Sequence, residues 1–341
     1  MSICTHFRWA RLGSNQRPLA CEASALPLSY APEPGRSLAF AAVRSFVAAV
    51  LSLALLAPAA AAAPRRSIAD VPIRAVTAGQ GTIGYRAVGH GRPLVLVMGV
   101  AGTMDAWPPG FVDALAARHR VITLDNEGIR RTTLGPGTLT IGRMADDVAS
   151  LIHALRLRRP DVLGWSMGGM IALSLARRHP ARVRRLVLAA TAPGDGRGTP
   201  PSPEVVNQLR AGTADPIGLL FPPGQGAAAR AYACAIASYR NASPAAPPLI
   251  TQLQLGASAT WLAGGDPSGR PLRRLRLPVL VGGGALDRLL PVANQRYLAR
   301  ALPNARLRVY RDAAHGFLHQ HRRAFLRQIE RFLRAKTTRL R

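Results

Sequence analysis

From Arg74 onward, short continuous apolar runs alternate with stretches of helical spacing, and this alternation constrains the fold more than any other feature of the chain. Residues 93–99 form an unbroken apolar run closed by glycine, the pattern of a strand buried on both faces. Residues 119–125, 161–164, 183–190, 278–282 and 306–310 read as further strands. Helical spacing falls at 110–118, 141–157, 167–179, 291–302 and 317–333; in the second of these the apolar positions are Met144, Val148, Leu151, Ile152 and Leu155. Two short strands within 74–88 flank a turn at Gly79-Gln80-Gly81. Strands alternating with helices predict an α/β fold with a mostly parallel sheet and helices on both faces.

The stretch 193–276 breaks the alternation. Helical pieces near 203–211, 227–239 and 248–262 are joined by turns rich in proline and glycine. An insertion between two strands sits above the C-terminal edge of the sheet, where ligands bind in open α/β folds. It is read as a helical cap.

Composition narrows the function. Hydrophobic residues make up 48% of 341, enough for a large core, while aromatics are only 5%, so alanine, leucine and valine must build it. The formal net charge is +28, carried by arginine, with Lys336 the one lysine. The arginines are scattered through loops, helix faces and the tail, without the clustering or the motifs of a specific nucleic-acid binder. Such a charge permits loose attraction to an anionic envelope surface. No Cys/His spacing suggests a metal site.

Residues 46–58 form a short apolar run preceded by Arg44 and followed by Ala59–Ala63. A positive flank, a short apolar core and small residues at the end describe a secretory signal peptide, so 43–63 is expected to direct export to a periplasmic or secreted location. Retention as an N-terminal membrane anchor is the alternative. Residues 1–42 do not read as a leader; 11–30 looks like the run produced when a transfer-RNA gene is translated as protein, and Val43 is a candidate start. The folded domain is expected over 64–341. Cys4 and Cys21 precede it, so Cys234 alone would remain there, with no internal disulfide.

Gly164-Trp165-Ser166-Met167-Gly168 fits G-x-S-x-G, entered by a buried strand and left by a helix. Glycines on either side permit a turn tight enough to project the Ser166 hydroxyl. A serine needs a base, and the strand–turn–helix chemistry runs in the order serine, acid, histidine. His315, His319 and His321 are late enough in the chain. His319 and His321 are expected on the exposed side of the final helix, whereas His315 follows the last strand. Asp287 follows a strand and a glycine-rich exit and is the candidate acid, ahead of Asp195 and Asp266. The backbone N–H groups of Met167 and Val100 are the candidate oxyanion donors. Asp105 and Trp107 are expected to hold the loop that follows residues 93–98 or to line the pocket. Trp107, Trp165, Phe221 and Trp261 are possible substrate-lining residues that could equally be ordinary packing.

Taken together, these residues resemble the α/β-hydrolase superfamily over 74–335, and within it the cofactor-free serine esterases, lactonases and non-haem haloperoxidase-like proteins. The resemblance implies an eight-stranded sheet, a cap inserted before the strand that carries the acid, a triad of Ser166, Asp287 and His315, and no cofactor or metal. Leu124–Thr132 is similar to the family's structural Asp-x-Arg-Gly segment, which makes Asp125 structural. Met98, Glu127 and Ala314 depart from the family's more usual His, Arg and Gly. The implied activity is cleavage of a small-molecule carboxylic ester, lactone or thioester through an acyl-enzyme. Peracid formation, carbon–carbon bond hydrolysis and a non-catalytic binding role on the same fold are the alternatives.

Overall fold

In the computed structural model, the described residues are 66–335, except 80, 212, 241, 243 and 244. The proposed leader and signal peptide lie outside the described residues.

Eight strands form one sheet: β1 (Arg74–Ala78), β2 (Gly81–Val88), β3 (Arg92–Val97), β4 (His119–Leu124), β5 (Asp161–Trp165), β6 (Leu186–Ala189), β7 (Val279–Gly284) and β8 (Ala305–Tyr310). Their order is β1-β2-β4-β3-β5-β6-β7-β8. The β1–β2 and β2–β4 pairs are antiparallel and every other pair is parallel. Among the described residues ten α-helices accompany them: α1 (Pro109–Ala116), α2 (Ile141–Ala154), α3 (Met167–Arg178), α4 (Pro203–Ala211), α5 (Pro216–Leu220), α6 (Gly226–Ala237), α7 (Pro248–Leu262), α8 (Ala293–Ala301), α9 (Phe317–Gln320) and α10 (Arg322–Arg334).

The apolar run in β3 is explained by its two faces. Val95 and Val97 belong to the core on the side of α2 and α3, while Leu94 and Leu96 belong to the core on the side of α1 and α10. A side-chain period of two feeds both cores, so every position must be apolar. Helix α2 buries Met144, Val148, Leu151 and Ile152 on one stripe, and the Thr140 hydroxyl accepts from the Arg143 N–H at 3.0 Å to cap its start.

Three readings of the sequence need correction. The strand expected over 183–190 is confined to Leu186–Ala189, because a helical turn at Pro180–Arg182 delays its entry into the sheet. The insertion holds an extra short helix, α5, started by Pro216 and capped by the Asp215 carboxylate on the Ile217 N–H at 3.0 Å. The final helix is broken at His321, whose ring stacks on Tyr310 at 4.8 Å and whose Nε2 meets the Asp312 carboxylate at 2.9 Å. Cys234, on α6, is disulfide-bonded. The expectation of an unbridged Cys234 concerned the chain after removal of Cys4 and Cys21, which are outside the described residues.

Candidate active site

β5 lies in the middle of the sheet, between β3 and β6, and delivers Ser166 to its C-terminal edge. Ser166 has φ +60° and ψ −126°, a left-handed conformation that a side-chain-bearing residue adopts only when its surroundings enforce it. The enforcement is visible. The Ser166 N–H donates to the Ala189 carbonyl at 2.9 Å, and its carbonyl accepts from the Gly169 N–H at 2.9 Å. A Cβ on Gly164 would lie 2.1 Å from the Gly168 carbonyl oxygen, and one on Gly168 would lie 2.0 Å from that of Val97. Both positions must therefore be glycine. Ser166 remains partly exposed while its chain neighbours are buried.

The loop after β3 passes against Ser166: a Cβ on Gly99 would stand 2.9 Å from Ser166 Cβ and 3.4 Å from its Oγ. Val100 is the next residue. Met167 occupies the first position of α3, where a backbone N–H has no acceptor within the helix. The two candidate oxyanion donors thus belong to segments that meet at Ser166. Asn126 Nδ2 donates to the Met98 carbonyl at 2.8 Å and fixes the base of the loop.

Further along, a buried ion network holds the same loop. Arg86 Nε donates to Asp105 at 3.0 Å, and Arg130 bridges Asp105 at 3.5 Å and Asp125 at 2.8 Å. Asp125 also accepts the Met104 N–H at 2.6 Å. Burial raises the Asp125 carboxyl above its ordinary range, against the opposing pull of Arg130. Asp125 accordingly ties the loop to β4, and of the two readings of Asp105 these contacts favour holding the loop. Glu127 pairs with Arg143 and accepts the Gly135 N–H at 2.8 Å.

Asp287 and His315 come from the loops after β7 and β8. His315 Nδ1 lies 2.8 Å from Asp287 Oδ2, and both residues are buried. The other Asp287 oxygen accepts the N–H groups of Leu289 and Leu290, each at 2.9 Å. The two loops are stitched together: the Leu286 N–H donates to the Ala313 carbonyl at 2.9 Å, and a Cβ on Gly284 would lie 2.3 Å from the Ala314 carbonyl oxygen. Trp165 Nε1 donates to the His315 carbonyl at 3.1 Å, which ties the histidine loop to the residue preceding Ser166. The competing carboxylates are engaged elsewhere. Asp195 accepts from the Tyr297 hydroxyl at 2.6 Å, and Asp266 accepts the N–H groups of Gly142 at 2.8 Å and Ser268 at 3.0 Å.

The four aromatic candidates are all buried. Trp107 stacks on Phe111 at 5.7 Å, Phe221 packs beside Tyr232 at 5.8 Å, and Trp165 lies 6.0 Å from Trp107. Trp261 donates to the Ala192 carbonyl at 3.1 Å and covers Gly194.

His319 contradicts the expected exposure. The break at His321 turns it inward, 4.9 Å from the Trp165 ring and 4.6 Å from that of Tyr232. Its ring nitrogens are buried without hydrogen-bond partners among the described residues, and burial pushes its pKa down to about 3. Sequence reasoning also passed over Asn126 and Gln254. Gln254 left a signal: it is a long polar residue on the inward stripe Ile250, Gln254, Ala257, Ser258, Trp261 of α7.

A nucleophile turn at the centre of a parallel sheet, with a buried acid–histidine pair on the following loops, defines the α/β-hydrolase class. The family model described as the alpha/beta hydrolase fold matches residues 92–214. The pimeloyl-[acyl-carrier protein] methyl ester esterase of Aeromonas hydrophila subsp. hydrophila is 30% identical over 262 residues, covering 74% of this chain and 99% of its own. A protein named "Putative carbamate hydrolase RutD" from Azorhizobium caulinodans is 31% identical over 250 residues, covering 70% of this chain and 90% of its own. Among solved structures, an alpha/beta hydrolase fold protein from Chitinophaga pinensis superposes with a TM-score of 0.70 at 26% identity, covering 80% of this chain and all of that one. The chain belongs to the α/β-hydrolase family.

Proposed function

We propose that the chain is a serine hydrolase that cleaves a carboxylic ester, lactone or thioester through an acyl-enzyme on Ser166. The observation that carries this reading is the buried 2.8 Å contact between His315 Nδ1 and Asp287, on a loop bonded to Trp165 beside the strained Ser166. Asp287 accepts a hydrogen bond from Nδ1–H, which keeps the proton on that nitrogen and leaves Nε2 as the basic one. His315 Nε2 takes the Ser166 proton as Oγ attacks the acyl carbon. The N–H groups of Met167 and Val100 receive the developing oxyanion. Imidazolium then returns the proton to the leaving oxygen or sulfur, and water, activated by the same nitrogen, releases the acid. An ester substrate is in keeping with the methyl ester esterase among the relatives; a carbamate presents the same acyl carbon to the same groups.

The test is reaction of the purified full chain with a fluorophosphonate probe, followed by peptide mapping and assay on graded acyl esters, lactones and thioesters. Label is expected on Ser166 and on no other serine. Ser166→Ala protein that keeps full esterase activity would overturn the assignment.

A further inference from the structure

Helix α7 crosses the ends of the strands that build the site. At one end Ile250 fills the space over Gly128, after β4: a Cβ there would lie 2.5 Å from Ile250 Cδ1. Gln254 meets Ala101 in the loop after β3. Trp261 covers Gly194 and bonds to Ala192, both after β6. Gln254 and Trp261 are seven residues apart, a helical rise of about 10 Å. β3 and β6 are separated by two strand spacings, also about 10 Å, with β5 between them. The segment from Gln254 to Trp261 therefore spans the end of β5, from which Ser166 projects.

Gln254 is fully buried. Its Oε1 accepts the Ala101 N–H at 2.9 Å, which fixes the orientation of the amide, because a backbone N–H can meet only the oxygen end. Ala101 has φ +58°, so this bond also helps to hold a strained turn immediately after Val100. The opposite end, Nε2, is buried with no hydrogen-bond partner among the described residues. A buried donor is costly to leave unmade, and an orphan on a helix that crosses the end of β5 calls for an acceptor. Gly99, two residues from Ala101, touches Ser166, so the loop that Gln254 holds lies against that serine.

We propose that Gln254 selects the substrate: Nε2 donates to an oxygen on the acyl group, close to the scissile carbonyl, so that acyl groups carrying an ether, hydroxyl or second carbonyl there react in preference to plain aliphatic ones. Oε1 meanwhile positions the oxyanion loop through Ala101. The inference rests on the serine-hydrolase reading above.

The experiment compares para-nitrophenyl methoxyacetate with para-nitrophenyl butyrate, two esters of similar size that differ in the acyl oxygen. It uses the full-length parent, Gln254→Met and Gln254→Leu; both variants remove the donor and the oxygen that meets Ala101, whereas a buried carboxyl in place of the amide would stay protonated and keep a donor. The readout is the ratio of the two kcat/KM values, which does not depend on the fraction of active protein, and in which the loss of the Ala101 contact, common to both esters, cancels. A fall in the ratio of about threefold or more from the parent in Gln254→Met is expected, as a lost hydrogen bond to one substrate alone requires. A smaller change overturns the proposal. If Gln254→Met fails to fold, Gln254→Leu decides by the same threshold. A parent that hydrolyses neither ester and shows no fluorophosphonate label on Ser166 removes the hydrolase reading itself, a result distinct from loss of selectivity alone.

Discussion

The carboxyl group of Asp147, on α2, is raised to a pKa of about 7 by burial and by the neighbouring carboxylate of Glu127, on the loop after β4. Burial is the leading cause; the neighbouring charges of Glu127 and Asp146 add to it, and Arg143 opposes it. The sign follows from linkage. An aspartate with a folded pKa raised above 3.8 binds more protons folded than unfolded, so its contribution is fully present below that value and is lost as pH rises through about 7. Asp147→Asn supplies a permanent donor to Glu127 without a charge. The variant is expected to match the parent near pH 4 and to exceed its stability by about 2 kcal/mol at pH 8. Urea unfolding across pH checks this, and parallel pH profiles for parent and variant would refute it.

Asp287→Asn probes the acid–histidine pair. The asparagine oxygen can keep the N–H groups of Leu289 and Leu290, so the loop should hold its shape. Its amide then donates to His315 Nδ1, which forces the proton onto Nε2 and removes the base. The expected result is a fall in kcat of about 10⁴-fold with a melting temperature close to that of the parent. Steady-state kinetics beside a thermal melt separates this from simple unfolding.

The sheet and the triad candidates were legible because each obeys a local rule. Leu94–Val97 of β3 must be apolar because both faces are buried, Gly164 is required by a backbone contact within one tight turn, and Gly168 fits the G-x-S-x-G spacing although the backbone it meets belongs to β3. Asp287 could be read because it follows a strand. Gln254 and His319 follow no such rule. Gln254 acquires its role only when α7 docks on a loop 153 residues away in sequence. His319 turns inward only because Tyr310 and Asp312 capture His321 and interrupt the helix. Helical spacing alone would have carried the pattern through unbroken.

Gly99→Ala separates activity from stability at the oxyanion loop. The added methyl would meet Ser166 Cβ at 2.9 Å, so either the loop or the nucleophile must move by a few tenths of an ångström. Beside the Ser166 side chain the nearest contact of the methyl would be the Trp165 carbonyl oxygen, at 3.3 Å, and Ser166 is partly exposed, so global stability should change little. Catalysis depends on alignment, and a displacement of that order is expected to lower kcat by about tenfold or more. An unchanged kcat would show that the loop yields without cost to the oxyanion geometry.

His319 should limit stability in acid. Its pKa of about 3 lies below the ordinary 6.5, with burial the largest cause and the charges of Arg322 and His315 adding to it. The unfolded chain binds the proton that the folded chain refuses, so stability present above pH 6.5 is lost as pH falls toward 3. This slope opposes that of Asp147, and between about pH 4 and 6.5 the two act against each other. His319→Leu removes the acid-side term and also removes ring nitrogens that have no partner among the described residues. Replacing an unsatisfied buried polar group with an apolar one of similar volume is expected to be neutral or stabilising by about 1 kcal/mol at pH 7, with a larger advantage at pH 5. Chemical denaturation at the two pH values tests the difference. A His319→Leu protein that loses stability equally at both would mean that the ring contributes chiefly by packing against Trp165 and Tyr232, and that its proton has no part in acid sensitivity.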